Sequence, residues 1–376
     1  MTGVAMSDRK PQAIVAGHLC LDVIPQITHQ VDSLSPGQLI EVGPARFATG
    51  GAVANTGLAL HRLGVKTALI GKLGDDPFAR RVLELLRGYG PELTETMRIV
   101  PGETTSYTIV VSPPEADRLF LHCPGANATF SKNDIDFDRF DGVRLFHFGY
   151  PPLMENLYQD GGESMRSIFA LAKERGVTTS LDMAAIDPHS KAGKVDWRAW
   201  LKRVLPEVDI FAPSIDEVLF MLGQDAEASL PLGHADAQTL RSLSEELLSM
   251  GAAVVLLKLG ARGVYLRSTP DADRLRVAGP CLSHDSDSWL EQELLAPCFR
   301  VDCVGTTGAG DCTIAGFFAQ LLKGGTPRET VTMAVATGAC SVEASDAVSA
   351  VPPQRDVQQR IDAGWQRHEP SMDLPK

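Results

Sequence analysis

The chain has 376 residues, 44% of them hydrophobic and 22% charged, with a formal net charge of −12. That length leaves room for a sizeable core in one large α/β domain with a small appendage, and its short, interrupted apolar runs exclude a membrane-spanning helix. The acidic balance argues against nucleic acid or an anionic membrane as partner and leaves a small molecule.

Seven cysteines, at 20, 123, 281, 298, 303, 312 and 340, form no CxxC pair, so reduced thiols and a cytoplasmic location are expected. Met1 to Pro11 lacks the apolar stretch of a secretory signal.

In chain order, Ala13-Ile14-Val15-Ala16-Gly17 reads as a buried strand, Asp22 follows in a loop, and Ala52 to Leu63 reads as a helix stopped by Gly64. The alternation continues with strand 66–71, helix 78–87, strand 144–148, helix 163–174, strand 177–182, strand 208–212, helix 215–222, helix 240–250 and strand 253–259. Such βαβα order predicts a mostly parallel sheet with helices on both faces.

Two stretches, 30–47 and 103–120, break the pattern, and Thr105 to Val111 has the β-branched bias of a strand. Strands too few to build their own core must lie over something, which predicts a small β lid on a ligand cleft. Segment 280–300, with Asp285, Asp287, Glu291 and Glu293 around Trp289, reads as a solvated acidic insertion. The polar, Pro-flanked tail 355–376 reads as a C-terminal helix or a loosely held end.

Gly305-Thr306-Thr307-Gly308-Ala309-Gly310-Asp311 opens the apolar run Ile314 to Leu322. Small residues let backbone N–H groups approach an anion, and the helix that follows aims its unpaired N–H groups and positive dipole end at it. A carboxylate there repels phosphate, but suits a general base that takes the proton of an attacking hydroxyl. The pattern points to phosphoryl transfer to an alcohol; the plain alternative is a glycine-shaped turn with Asp311 as helix cap. Cys312 reads as a small thiol packed in the first turn, not a nucleophile.

Ahead of that loop, in order, stand Gly50-Gly51-Ala52-Val53-Ala54-Asn55 through Gly64, and Gly71-Lys72-Leu73-Gly74-Asp75-Asp76-Pro77-Phe78. Together these resemble the two signatures of the PfkB/ribokinase family of small-molecule kinases, from about Ile14 to Pro352. The resemblance implies a ribokinase-like αβα sandwich over 12–354, with a mostly parallel central sheet and a small β-sheet lid that often mediates dimerisation. It also implies phosphorylation of a primary hydroxyl of a sugar or sugar-like polyol by ATP and Mg²⁺.

Residue by residue, the resemblance makes Asp311 the catalytic base and the N–H groups of Thr307, Gly308, Ala309 and Gly310 the anion hole. It makes Asp22, Gly50, Gly51 and Asn55, with Asp311, the acceptor pocket. Lys258, Gly260 and Gly263 fall on the nucleotide-side turn, Thr307 on the phosphates and Ala339 on the adenine wall, while Glu217 holds Mg²⁺ through water. A glycine hairpin at 260–263, close helix packing at 338–341 and an ordinary helix start at Glu217 are the alternatives.

The chain departs from the family pattern in three places. Ser214 replaces an Asn in Pro213-Ser214-Ile215-Asp216-Glu217, Ala184 and Ile186 replace the Asn and Arg that follow Asp182, and Gly305 stands where an Asp helps bind a monovalent cation. That cation site is left unassigned. A nucleoside kinase, with Tyr107 or Phe120 as a base-stacking shelf, and a sugar- or nucleotide-binding sensor without catalysis are the competing readings. A dinucleotide-dependent dehydrogenase is weaker, because no GxGxxG follows the first strand.

Overall fold

The structure, a computed structural model, describes residues 10–27, 37, 39–112, 119–223 and 235–370. Its strands are β1 (Ala13–Gly17), β2 (Cys20–Gln26), β3 (Gly43–Gly50), β4 (Thr67–Ile70), β5 (Lys72–Gly74), β6 (Arg98–Val100), β7 (Tyr107–Val111), β8 (Leu119–Cys123), β9 (Leu145–Gly149), β10 (Thr178–Asp182), β11 (Ile210–Phe211), β12 (Val254–Lys258), β13 (Val264–Ser268) and β14 (Glu293–Ala296). Its helices are α1 (Ala52–Arg62), α2 (Pro77–Arg87), α3 (Glu163–Glu174), α4 (Trp197–Val204), α5 (Ile215–Met221), α6 (Ala237–Ser249), α7 (Ala272–Arg276), α8 (Ser286–Trp289), α9 (Ala309–Leu321), α10 (Pro327–Ser341) and α11 (Gln354–Asp362).

Eight strands form the central sheet in the order β14-β13-β12-β11-β10-β9-β1-β4. Pairing is parallel from β4 to β12 and antiparallel for β13 and β14. β1, β9 and β10 are buried at every position, as strands covered on both faces must be. Alternate residues feed two cores. Ala13, Val15 and Leu145 pack with α1, α9 and α10, while Ile14, Phe146 and Phe148 pack with α3, α4 and α6.

The two inner helices, α9 and α10, are buried on nearly all sides. A Cβ at Gly316 or Gly338 would lie 2.4 or 2.3 Å from the hydroxyl of Thr337 or Thr313, so glycine lets the two backbones meet. Each fully buried Leu or Phe in such a stack contributes about 1.5–3 kcal/mol. That reserve tolerates a few unpartnered polar atoms at the sheet's edge, at about 1–3 kcal/mol each.

A second sheet, ordered β3-β2-β7-β8, forms the lid. It consists of two antiparallel hairpins joined by parallel pairing of β2 with β7. Asp22 therefore lies on strand β2, not in a loop as the sequence suggested. Pro25 argues against a strand there, but it sits beside a register shift, where the ladder is interrupted. Of the expected lid segments, 30–36, 38 and 113–118 lie outside the described residues.

The root of the lid is stitched to the core. Thr105 N–H donates to Asp76 Oδ2 (2.7 Å), Gly74 N–H to Thr105 Oγ1 (3.0 Å) and Asn127 Nδ2 to Leu19 O (2.9 Å). Lys72, nearly buried, pairs with Glu103 at 2.9 Å.

Segment 280–300 is not the solvated insertion expected from its acids. β14 extends the central sheet beside β13, and Trp289 is fully buried edge-on to Phe317 at 6.1 Å. Glu293 accepts both Arg241 nitrogens (2.7 and 2.8 Å) and the Tyr265 hydroxyl (2.9 Å); an ion pair at a sheet edge and one buried indole outweigh the local charge. After α11, Trp365 stacks on Phe299 at 4.5 Å and carries the Arg360 guanidinium 3.6 Å above its ring. Among the described residues no helix is long and apolar enough to cross a membrane.

Candidate active site

Polar side chains gather at the carboxyl ends of the parallel strands, the edge where open α/β sheets bind ligands. His18 follows β1, Tyr150 follows β9, Asp182 ends β10, Ser214 comes just after β11 and Lys258 ends β12. A cavity of about 1010 Å³ opens at the opposite ends of β1 and β4, lined by Lys10, Lys66 and Glu92 among others, and contains none of these groups.

The Gly-rich loop runs into α9, whose N-cap Gly308 has φ 70° and no side-chain cap. A Cβ there would lie 2.4 Å from that of Ala347, so backbone and packing both require glycine. The Ala309 N–H turns onto Thr306 O at 3.3 Å.

Asp311, only 2% exposed, does not cap the helix. Its Oδ2 accepts the Tyr150 hydroxyl (2.8 Å) and Asn55 Nδ2 (3.0 Å), and its Oδ1 accepts the Thr56 hydroxyl (3.2 Å). Burial pushes the carboxyl above its usual range, opposed by the Lys258 charge and the three donors. Tyr150 is held far above the ordinary phenol range by burial and by the Asp311 and Asp182 charges, so it stays a donor.

Lys258 Nζ meets Asp182 Oδ1 at 2.6 Å. Burial would discharge this ammonium, but Asp182 and Glu217 hold it above the usual lysine value. The space a Cβ on Gly310 would fill lies 3.6 Å from Nζ, so the cation faces the loop. Asp182 is fully buried and its Oδ2 has no partner.

Ser214, the departure beside Glu217, is the N-cap of α5. Glu217 N–H donates to its Oγ (3.3 Å) and Glu217 Oε2 accepts its N–H (2.7 Å), a capping box that Ser forms well. The Glu217 charge still reaches Asp182 and Tyr150.

Across the cleft, burial raises Asp22 to about 6, and the Cys20 thiol donates to its Oδ1 at 3.3 Å. A Cβ on Gly50 would fall 2.4 Å from Asp22 Oδ2, and one on Gly51, where φ is 88°, 2.5 Å from His18 Nδ1. The diglycine thus makes room for two protein side chains.

At the β12–β13 turn, Gly260 and Gly263 shape the hairpin, and a Cβ at Gly263 would lie 2.0 Å from Ala296 O. Close packing against the β14 end therefore explains Gly263, and Ala339 is buried within α10. Gly305 N–H donates to Val342 O at 3.2 Å. Tyr107 packs edge-on against Phe78 (5.2 Å), and Phe120 lies half-exposed on the strand that carries His122.

His18, Thr56, His122 and Tyr150 were not singled out as a site from sequence, and Lys258 was expected on the nucleotide-side turn, not as the partner of Asp182. For Tyr150 and His18 a signal existed, since each directly follows a strand of the parallel sheet at its carboxyl end. Among the described residues no three metal-ligating side chains converge. The oxygen donors present, Glu217 and Asp182, suit a hard cation held mainly by phosphates and water.

The pfkB family carbohydrate kinase profile matches residues 12–354. Probable fructokinase-6, chloroplastic, of Arabidopsis thaliana is 25% identical over 365 residues, spanning 94% of this chain and 83% of that protein. The 2-dehydro-3-deoxygluconokinase of Thermoproteus tenax is 25% identical over 339 residues, spanning 89% and 91%. The solved structure of Arabidopsis thaliana ribokinase complexed with ribose and ATP shares the fold, with a TM-score of 0.70 at 20% identity over 93% of this chain and 98% of that one. Fold and profile together define a phosphotransferase that acts on an alcohol group. The chain belongs to the pfkB family of carbohydrate kinases.

Proposed function

We propose that this protein transfers the γ-phosphoryl group of ATP to a primary hydroxyl of a sugar or sugar-like polyol, with Asp311 as base. The observation that carries the reading is a buried carboxylate, raised by its surroundings, set in the first turn of a helix that follows a Gly-rich loop. Asp311 takes the proton as the acceptor oxygen bonds to the γ-phosphorus and the bridging P–O bond to ADP breaks. The amides of Thr307, Gly308 and Gly310 and the Lys258 ammonium, which faces that loop, stabilise the charge that develops on the equatorial oxygens.

Asp22, Gly50, Gly51 and Asn55 hold the acceptor, and the lid excludes water, the competing acceptor. The 258–263 turn and Ala339 border the nucleotide. Mg²⁺ and ATP would supply charge neutralisation and the phosphoryl group when bound, and Glu217 would hold the metal through water. Exposed Leu119, Phe120 and Leu121 on β8 support a homodimer formed through the lid. Seven free cysteines suit a reducing cytoplasm.

The test is ADP release from Mg·ATP across sugars, sugar acids, polyols and nucleosides, with Asp311→Asn alongside. Loss of a positioned base should lower kcat by about 10²–10⁴-fold while ATP still raises the melting temperature. Undiminished turnover in Asp311→Asn would remove Asp311 from the chemistry.

A further inference from the structure

Two imidazoles meet where the lid closes on the core, and three of their four ring nitrogens have nothing to bond. His18 is fixed by its backbone: its N–H donates to Gly149 O (3.1 Å) and its carbonyl accepts the Val53 N–H (3.2 Å). The ring is 2% exposed, and neither Nδ1 nor Nε2 has a partner. His122, on β8 of the lid, faces it with ring centroids 5.1 Å apart. His122 Nδ1 meets Thr108 Oγ1 at 3.0 Å, and its Nε2 is buried and unpartnered.

Buried polar groups in native folds are nearly always bonded, and the exceptions mark absent partners or functional sites. Here the place identifies the partner. On one side Thr108 Oγ1 lies 3.7 Å from Cys20 Sγ, which donates to Asp22. On the other side the His18 ring lies 6.2 Å from that of Tyr150, whose hydroxyl reaches Asp311. The two rings stand between the acid of the lid and the buried acid of α9, the span the acceptor must bridge.

The chemistry of the rings selects among acceptors. Burial lowers His18 to about 3 and holds His122 below the usual imidazole value, so both rings are neutral near pH 7. A neutral imidazole offers one N–H and one lone pair, and a hydroxyl answers both. A carboxylate only accepts; it would answer the N–H groups but leave the imidazole lone pairs without a donor, and would lie near Asp22. Among the described residues no Lys or Arg acts on His18, His122 or Asp22. Lys258, whose charge reaches Asp311, is committed to Asp182 beside Gly310.

We propose that His18 and His122 form the specificity-determining wall of the acceptor site, and that their unpartnered nitrogens select the hydroxyls of an uncharged sugar over a sugar acid. This rests on the kinase reading above. It decides between two substrate classes that the names of the relatives divide, fructokinase and 2-dehydro-3-deoxygluconokinase.

The experiment measures ADP release by the full-length protein with D-fructose, D-ribose, D-gluconate and 2-dehydro-3-deoxy-D-gluconate, for wild type, His18→Phe, His18→Asn and His122→Phe. Phe keeps an aromatic ring and removes the nitrogens, whereas Asn restores a donor and an acceptor. A neutral sugar should exceed both acids in kcat/KM by about 100-fold or more. Each Phe variant should raise that sugar's KM about 10- to 100-fold while the KM for ATP stays within about twofold, and Asn should recover part of the loss.

Circular dichroism and the melting shift with ATP establish folding; if His18→Phe is unfolded, His122→Phe, which removes one unpartnered nitrogen and the one that meets Thr108, decides. A sugar acid that matches or exceeds the neutral sugars overturns the proposal, as do Phe variants with the wild-type sugar KM. Wild-type protein that binds ATP yet releases no ADP with any acceptor overturns the kinase reading and this proposal together, a failure visible before any variant is made.

Discussion

Replacing Tyr150 by Phe removes a single hydroxyl from Asp311, the proposed base. That hydroxyl donates to Asp311 Oδ2 at 2.8 Å, and the carboxylate is only 2% exposed, so solvent screens the bond little. A hydrogen bond to a charged group contributes about 1.5–3 kcal/mol. At about 1.4 kcal/mol per pH unit, its loss raises the Asp311 pKa by about 1 to 2 units, above a value that burial has already raised. Asn55 and Thr56 still donate, so the base survives.

A base must be ionised to act, hence activity falls as pH drops through its pKa, and the acid limb of kcat/KM should move to higher pH by about 1 to 2 units. If, as proposed, the acceptor hydroxyl bonds the oxygen that the phenol occupies, binding the acceptor exchanges one bond for the other. The limb of kcat, which reports the bound complex, should therefore stay within about 0.3 unit of wild type. ADP release measured from about pH 5 to 9 separates the two limbs. An unmoved kcat/KM limb, or a kcat limb that moves as far, would refute the reasoning.

Lys258→Met leaves Asp182 buried without its counter-charge and should cost about 3–5 kcal/mol in urea unfolding, part of which Asp182→Asn restores in the double variant; a cost below about 1 kcal/mol would mean the pair is not buried as described. Gly51→Ala forces a Cβ into the His18 ring at φ 88° and should lower unfolding stability by at least about 2 kcal/mol; a wild-type urea midpoint would contradict that crowding. Asp22, at about 6 against 3.8 for the free group, contributes stability that is full below pH 3.8 and lost as pH rises through 6. Asp22→Asn should thus gain on wild type by up to about 3 kcal/mol between about pH 4 and 7, and a pH-independent difference would remove the perturbed acid.

The central sheet was legible because buried strands and amphipathic helices each keep one period over several residues. α3 matches its expected bounds, Glu163 to Glu174, and α1 lies within one residue of its expected end. At β2 the sequence reads as a loop around Asp22; the strand carries a proline, and the register shift that accommodates Pro25 belongs to the partner strand as much as to β2. Glu293 in 280–300 misled because its partners Arg241 and Tyr265 come from other elements. At the site, the loop and Asp311 could be read as one contiguous motif. The donors on Asp311 come from Asn55, Thr56 and Tyr150, 256, 255 and 161 residues away, and only sheet register brings them together.

The lid resembles a cantilever. Its root is clamped where Asp76, Thr105, Asn127 and Lys72 tie it to the core, while Leu119 and Leu121 lie exposed along β8, its outer strand. In such a beam, stiffness resides at the clamp and leverage at the tip. Whatever rests on the outer strand acts through the long arm on Asp22 and His122, which the same beam carries. A change at that edge would therefore reach Asp22 and His122 through the sheet itself, without any contact in the cleft.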